Sequence, residues 1–233
     1  MPSWTRTLAA TLAAGLLGTL TLGGLSALAT GCQKKAIPPR TAPPSDPMQH
    51  LQGGKLVFEE TFSGTGFSKS WNIIQGGDWS IVDGWAHSKK ARNKGLWLAG
   101  FQLPDRVRIE FDIRSEPRGK KRFEGDTKCE VFATEPAHEK GYILVNGGWN
   151  NQLDIIARLD EHGKDRKERA ARPVEASKTY RWAVVRTDDT LYWFRDGALF
   201  MFYQDAQPVK GKYFGFNNWE AHLYVDNLKV FQL

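Results

Sequence analysis

The sequence predicts an all-β fold, a single antiparallel β-sandwich over residues 55–233 that follows a leader and a proline-rich linker. Three observations carry this. From Lys55 onward apolar and polar residues alternate with a period of two, as strands with one wet face require. No stretch repeats its apolar residues at the 3.6 spacing of a helix, and Gly, Asn and Asp turn formers interrupt the pattern at short intervals. No repeat with a period of about 40 to 50 residues is present, which argues against a propeller.

The leader spans residues 1–31. Arg6 is the only charge before Lys34, and Leu8 to Leu28 is a weakly apolar run broken by four glycines, a basic n-region followed by an h-region. Ala29, Thr30 and Gly31 then lead into Cys32. This resembles a bacterial lipobox, with Ala29 where the usual pattern has Leu. The resemblance implies cleavage before Cys32, acylation of its thiol, and a chain anchored to the membrane in the cell envelope, outside the cytoplasm. An uncleaved anchor with Cys32 as a plain thiol is the alternative. From Gln33 to Gly54 the chain holds Pro38, Pro39, Pro43, Pro44 and Pro47, the composition of an extended tether.

The sandwich strands follow in order: Lys55 to Phe62, Trp79 to Val82, Trp85 to Ser88, Leu96 to Ala99 and Arg106 to Arg114. The last is the clearest, with Val107, Ile109, Phe111 and Ile113 alternating against charged residues. Then come Thr127 to Ala133, Gly141 to Val145, Gln152 to Leu159 and Thr179 to Arg186. Leu191 to Arg195 and Ala198 to Tyr203 form a hairpin across Asp196-Gly197, a dipeptide suited to a type I′ turn. Lys212 to Phe216 and His222 to Phe231 close the domain. About 180 residues suffice for one core without staples. With Cys32 acylated only Cys129 remains of two cysteines, so no internal disulfide forms.

The formal net charge is +6; loss of Arg6 with the leader leaves +5. Bases are scattered except from Lys164 to Arg172, which reads as a solvated loop or hairpin tip, with an anionic-ligand patch as the alternative. The compartment and the interspersed acids argue against nucleic acid. The five histidines are dispersed and no Gly-x-Ser-x-Gly elbow is present, which disfavours zinc and nucleophilic catalysis. Cys129 alternates with Lys128 and Glu130 and reads as a small core residue. No cofactor is expected. For calcium, Asp78, Asp83, Asp154 and Asp226 have the right oxygen chemistry, yet no loop concentrates them.

Tryptophan is the richest signal, with eight between Trp71 and Trp219. Two segments set one beside paired asparagines: Asn146-Gly147-Gly148-Trp149-Asn150-Asn151 and Asn217-Asn218-Trp219. A flat apolar ring with amides that donate and accept is the chemistry that reads sugars. The same residues also make turns. The expected contact residues are therefore Asn146, Trp149, Asn150, Asn151, Asn217, Asn218 and Trp219, in a monomer that binds carbohydrate or another surface ligand without catalysis. A structural envelope protein that binds another protein is a further alternative.

Several phrases carry a family resemblance: Phe58 to Ser63, Asp78-Trp79-Ser80-Ile81-Val82-Asp83-Gly84-Trp85, Tyr180 to Arg186, Trp193 to Gly197, and Val225-Asp226-Asn227-Leu228-Lys229-Val230. Together they resemble the concanavalin A-like lectin/glucanase superfamily, and within it the secreted domains labelled 3-keto-disaccharide hydrolase. The resemblance covers Lys55 to Leu233 and implies a jelly roll. Superfamily members that cut β-glucans carry acids in a pattern resembling Glu-x-Asp-x-Glu or Glu-x-Asp-x-x-Glu. Glu110 to Glu116 and Glu124-Gly-Asp126-Thr-Lys-Cys-Glu130 come near it. In both, the outer acids lie six residues apart, about 20 Å along a regular strand, whereas a retaining glycosidase needs about 5 to 5.5 Å. Glycoside hydrolysis by Glu124, Asp126 and Glu130 is thus the lesser reading.

Overall fold

The computed structural model describes residues 42–117 and 125–233; Cys32 and Glu124 lie outside them. Two antiparallel sheets face each other as a jelly-roll sandwich. In chain order the strands are β1 (Lys55–Glu60), β2 (Trp71–Ile73), β3 (Ser80–Val82), β4 (Trp85–Ser88), β5 (Leu96–Leu98), β6 (Val107–Glu116), β7 (Thr127–Ala133) and β8 (Tyr142–Gly147). They continue as β9 (Leu153–Arg158), β10 (Lys167–Ala170), β11 (Tyr180–Arg186), β12 (Thr190–Arg195), β13 (Ala198–Gln204), β14 (Tyr213–Asn217) and β15 (His222–Gln232). One sheet runs β13-β12-β11-β6-β15-β4-β3 with β1 also on β15, and the other runs β10-β9-β8-β7-β14-β5-β2.

The expected strands are present with ends shifted by a residue or two. Two strands were not expected. Trp71–Ile73 is only three residues long, and Lys167–Ala170 lies in the run read as a solvated loop; pairing with Ile155 and Ile156 makes it an edge strand. The Asp196-Gly197 turn has positive φ at both positions, 54° and 76°, as a type I′ turn requires.

The core is aromatic because alternation turns one face of every long strand inward. Val107, Ile109, Phe111 and Ile113 of β6 meet Phe214 and Phe216 of β14, and Trp182 packs 4.4 Å from Trp193. Trp71 and Trp79 donate their indole N–H to Glu60 and to the Lys94 carbonyl. The indole nitrogens of Trp97, Trp182 and Trp193 have no partner among the described residues. An unmet donor costs about 1–3 kcal/mol, less than the roughly 4–6 kcal/mol from burying some 150–250 Å² of ring, so burial wins.

Each sheet also carries a small apolar cluster on its outer face. Ala183, Val185, Tyr192 and Phe194 of the first sheet are covered by Leu51 and its neighbours. Ser45 and His50 contact Tyr192, and the carbonyls of His50 and Gln52 accept from Arg108. The stretch read as tether is thus docked on the domain from Ser45. On the second sheet, Ile143, Val145, Ile155 and Ala157 pack against Trp149 and Leu153, and this face builds the site.

Candidate functional site

The site is a cleft of about 430 Å³ whose walls include both Trp149 and Trp219. Its first wall is the turn between β8 and β9. Gly147, Trp149, Asn150 and Asn151 all have positive φ, between 50° and 68°, a conformation that costs a non-glycine residue roughly 1–2 kcal/mol. The turn persists because its surroundings fix it. Asn151 bonds both the N–H and the carbonyl of Val174, at 2.8 and 2.9 Å, and the Gly147 N–H donates to Asp154. Trp149 is thereby set half-buried on the outer apolar cluster. The His162 ring meets it edge-on at 5.6 Å, and the Arg166 guanidinium lies 4.9 Å from its centre.

The second wall is the loop after β14. Asn217 and Asn218 are fully buried and Trp219 is 52% exposed. Asn217 donates to Glu130 at 2.6 Å and accepts the Asn218 N–H, and the Asn218 side chain accepts the Ala91 N–H. The carbonyls of Asn218 and Trp219 receive the N–H groups of Asn93 and Arg92. Asp126 accepts the Trp219 N–H at 2.6 Å, which ties this wall to β7.

The floor is ionic. Lys128 of β7 is 1% exposed, and its ammonium donates to Asn93 and to both oxygens of Glu161, at 3.1, 3.0 and 2.9 Å. Burial pulls its pKa down, but the charges of Asp126 and Glu161 outweigh this and hold it above the ordinary lysine value. Behind Lys128 on the same face lies Glu130, buried completely, which accepts from His138, Asn217 and the Glu139 N–H. Burial also pulls His138 down, and the hydrogen bond and charge of Glu130 more than offset it, so its pKa is raised.

Of the residues expected at the site, Trp149, Asn150, Trp219 and Asp126 line the cleft. Asn146 does not: it is buried, donating to Asp154 and accepting from Arg195. Asn146, Asn151, Asn217 and Asn218 spend their amides on backbone and side-chain groups of the domain rather than on the cleft, so they position the rings, while Asn150 faces the cleft. Glu130, read as a candidate acid, has both oxygens engaged in the interior, and Asp126 fastens a wall. Lys128, Glu161 and Asn93 were missed. Lys128 carried no usable signal, since with Glu130 it alternates against Cys129 and Val131 as a solvent-facing residue would.

The calcium candidates do not converge. Asp78 precedes β3 and is held by Ser88 and the Lys89 N–H, Asp83 sits in the β3–β4 turn, Asp154 is fully bonded within β9, and Asp226 is on β15. Among the described residues no group of three acid, His or Cys side chains is placed to hold a metal.

No family model and no curated protein matches the sequence. Solved structures share the fold. Carbohydrate binding module CBM66 from Bacillus subtilis aligns at 17% identity and TM-score 0.53, over 72% of this chain and 99% of its own. The Bacillus licheniformis β-glucanase aligns at 13% and 0.55, over 78% and 100%. The exoplasmic/lumenal domain of VIP36, in a form bound to Ca²⁺ and Man2, aligns at 13% and 0.56, over 75% and 86%. This chain has the concanavalin A-like jelly roll common to lectins, glucanases and carbohydrate-binding modules.

Proposed function

We propose that this protein is a carbohydrate-binding module, anchored in the bacterial envelope through acylated Cys32, that holds a saccharide between Trp149 and Trp219. One observation carries the reading: two tryptophans from separate loops line one cleft, together with Asn93, Asn150, Asp126 and Glu161. Rings supply a surface for sugar C–H faces, and amides and carboxylates meet hydroxyls. The fold it shares with a carbohydrate-binding module and with the Ca²⁺/Man2-bound exoplasmic/lumenal domain of VIP36 supports the same reading.

Hydrolysis would fall to the acids that line the cleft, Asp126, Glu161 and Glu220, and Glu220 is paired with Lys90 and Arg92. Glu161 is held through both oxygens by Lys128, and one oxygen of Asp126 is held by the Trp219 amide, which favours binding over proton transfer.

The test is titration of the detergent-solubilised full chain with a panel of neutral and acidic oligosaccharides, followed by tryptophan fluorescence and calorimetry. Trp219→Ala is expected to weaken binding at least about tenfold, the effect of losing an aromatic anchor, and to leave the fold intact because the ring is half exposed. Saccharide binding that is unchanged in both Trp149→Ala and Trp219→Ala sinks the proposal, as does a panel that yields no ligand.

A further inference from the structure

The basic run Lys164–Arg172 plays no part in the cleft's chemistry except through Arg166. Its strand, β10, ends one sheet, and β13 ends the other. Arg169 of β10 donates to the Phe200 carbonyl of β13 at 2.7 Å, so the two strands flank one edge of the sandwich. On β10, Lys167 and Arg169 share a face, about 7 Å apart by strand geometry, and both are half-buried.

Four cations cover the aromatic rings at this edge. The Lys167 ammonium lies 4.6 Å from Phe202, the Arg169 guanidinium 4.1 Å from Phe200, Arg195 4.6 Å from Phe200, and Arg172 5.5 Å from the same ring. One carboxylate answers them. Asp154 pairs with Arg169 at 3.2 Å, and its two oxygens already take Asn146, the Gly147 N–H and the Arg172 N–H. Among the described residues Lys167, Arg172 and Arg195 enter no ion pair, and Arg169 Nη2 is shut off from solvent without a partner. Burial lowers the pKa of Lys167; burial, with Arg172 and Arg195 nearby, lowers that of Arg169 despite Asp154.

Charged side chains on an edge strand guard against sheet-to-sheet pairing, but that role needs no excess of one sign. On the opposite face of β10, Glu168 is paired with Arg166, just before the strand, at 2.6 Å, so charge is balanced on that side. The edge also adjoins the cleft. Asn146 accepts from Arg195 and donates to Asp154, and the residues that follow it form the wall that carries Trp149.

We propose that this edge binds the carboxylate or sulfate groups of an acidic polysaccharide whose chain continues into the Trp149–Trp219 cleft. The proposal rests on the glycan-binding reading and narrows its substrate class to polyanions. A saccharide fits better than a lipid surface, because the rings here lie under cations, and the exposed large apolar residues Met48, Leu56, Leu159 and Trp219 are not part of the edge; a membrane-seating patch needs apolar side chains to insert.

The test uses the detergent-solubilised full chain in interferometry on immobilised alginate, dextran sulfate and a neutral glucan, with anionic phospholipid vesicles as a further surface. Binding to the two polyanions is expected to exceed that to the neutral glucan at low salt and to weaken as salt screens it. Lys167→Gln/Arg172→Gln should lower polyanion binding about tenfold, the scale of one charge-assisted contact, with neutral binding unchanged. If the double variant unfolds, Arg172→Gln alone, whose exposed side chain makes no hydrogen bond among the described residues, is expected to lower it by about threefold. Polyanion binding equal to neutral binding overturns this proposal and leaves the cleft reading standing. Failure to bind any saccharide overturns both. Vesicle binding that matches polyanion binding and falls equally in the variants reassigns the edge to a membrane and overturns the polysaccharide.

Discussion

Replacing Lys128 with Met should be among the most damaging single changes in the domain, although the two side chains have similar length and no cavity results. Lys128 is 1% exposed and gives three hydrogen bonds, two of them to Glu161, whose side chain is 10% exposed. Without the ammonium, Glu161 and the fully buried Glu130 are left with His138 as their nearby counter-charge. Breaking a buried pair from one side costs about 3–5 kcal/mol, because the surviving ion has lost both water and partner. For a domain of about 180 residues each kcal/mol moves the midpoint by about 2–4 °C, so a fall of roughly 6–20 °C is expected. The measurement is urea and thermal unfolding followed by tryptophan fluorescence. The decisive control is Lys128→Met/Glu161→Gln, which removes both charges and should recover most of the loss, giving a coupling energy of about 2 kcal/mol or more. A single variant that loses under about 1 kcal/mol, or a double variant as unstable as the sum of the singles, would refute the view that this pair is sealed and mutually dependent.

Three further outcomes are expected. His138 faces Glu130, Glu139 and Glu161 with Lys128 behind them, and its pKa is raised; a proton held more tightly when folded stabilises fully below about 6.5 and ceases to do so as pH rises through the folded value. The stability difference between wild type and His138→Gln, from melts at pH 5.5 to 9, should therefore be largest at the acid end and shrink towards the alkaline end, and a flat difference contradicts the assignment. Gly147→Ala sets a methyl group against Asn151 Oδ1 and 2.8 Å from Val174 Cγ2 at φ +68°, so a loss of about 1–3 kcal/mol in denaturant melts should accompany weaker saccharide binding; wild-type behaviour in both would show that the turn is not as tightly fixed as described. Cys129 is fully buried with its thiol pKa raised by burial, so chain purified from membranes should show no thiol reactive to Ellman's reagent when native and one in urea; two in urea would mean that Cys32 is not acylated.

What the sequence made legible follows from the range of the forces involved. The β6 alternation and the Asp196-Gly197 turn are local, and both stand where the pattern puts them. Three of the four paired asparagines turn away from the cleft for a related reason: consecutive residues in a tight turn point in different directions, so Asn150 lines the cleft while Asn151 turns back to Val174, and Asn218 goes inward to the Ala91 N–H while Trp219 goes outward. Composition named the segment and could not name the side. Lys128 and Glu130 alternate with Cys129 and Val131 as a wet face would, yet they are buried. The segments carrying His138, Glu139 and Glu161 fold over them, and nothing near β7 in the sequence announces that cover.

The proline-rich stretch shows the converse, a local signal correct in kind and overruled at one end. Prolines favour an extended chain wherever nothing competes. After Pro44 something does compete. Leu51 is apolar, His50 can lie on a ring, and Leu51 joins Leu199, Phe202 and Leu233 in covering the face made by Ala183, Val185, Tyr192 and Phe194. Covering part of that face outweighs the freedom lost by about eight residues only because Arg108 also binds the carbonyls of His50 and Gln52 and a hydroxyl of Tyr192 meets Ser45. Docking and the cleft therefore occupy different sheets: the strap lies on the outer face of the sheet that contains β11 and β12, while Lys128 and Trp149 stand on the outer face of the sheet that contains β7 and β8. In a two-layer sandwich those faces look in opposite directions, so a ligand can fill the cleft without displacing the segment through which the chain enters the domain.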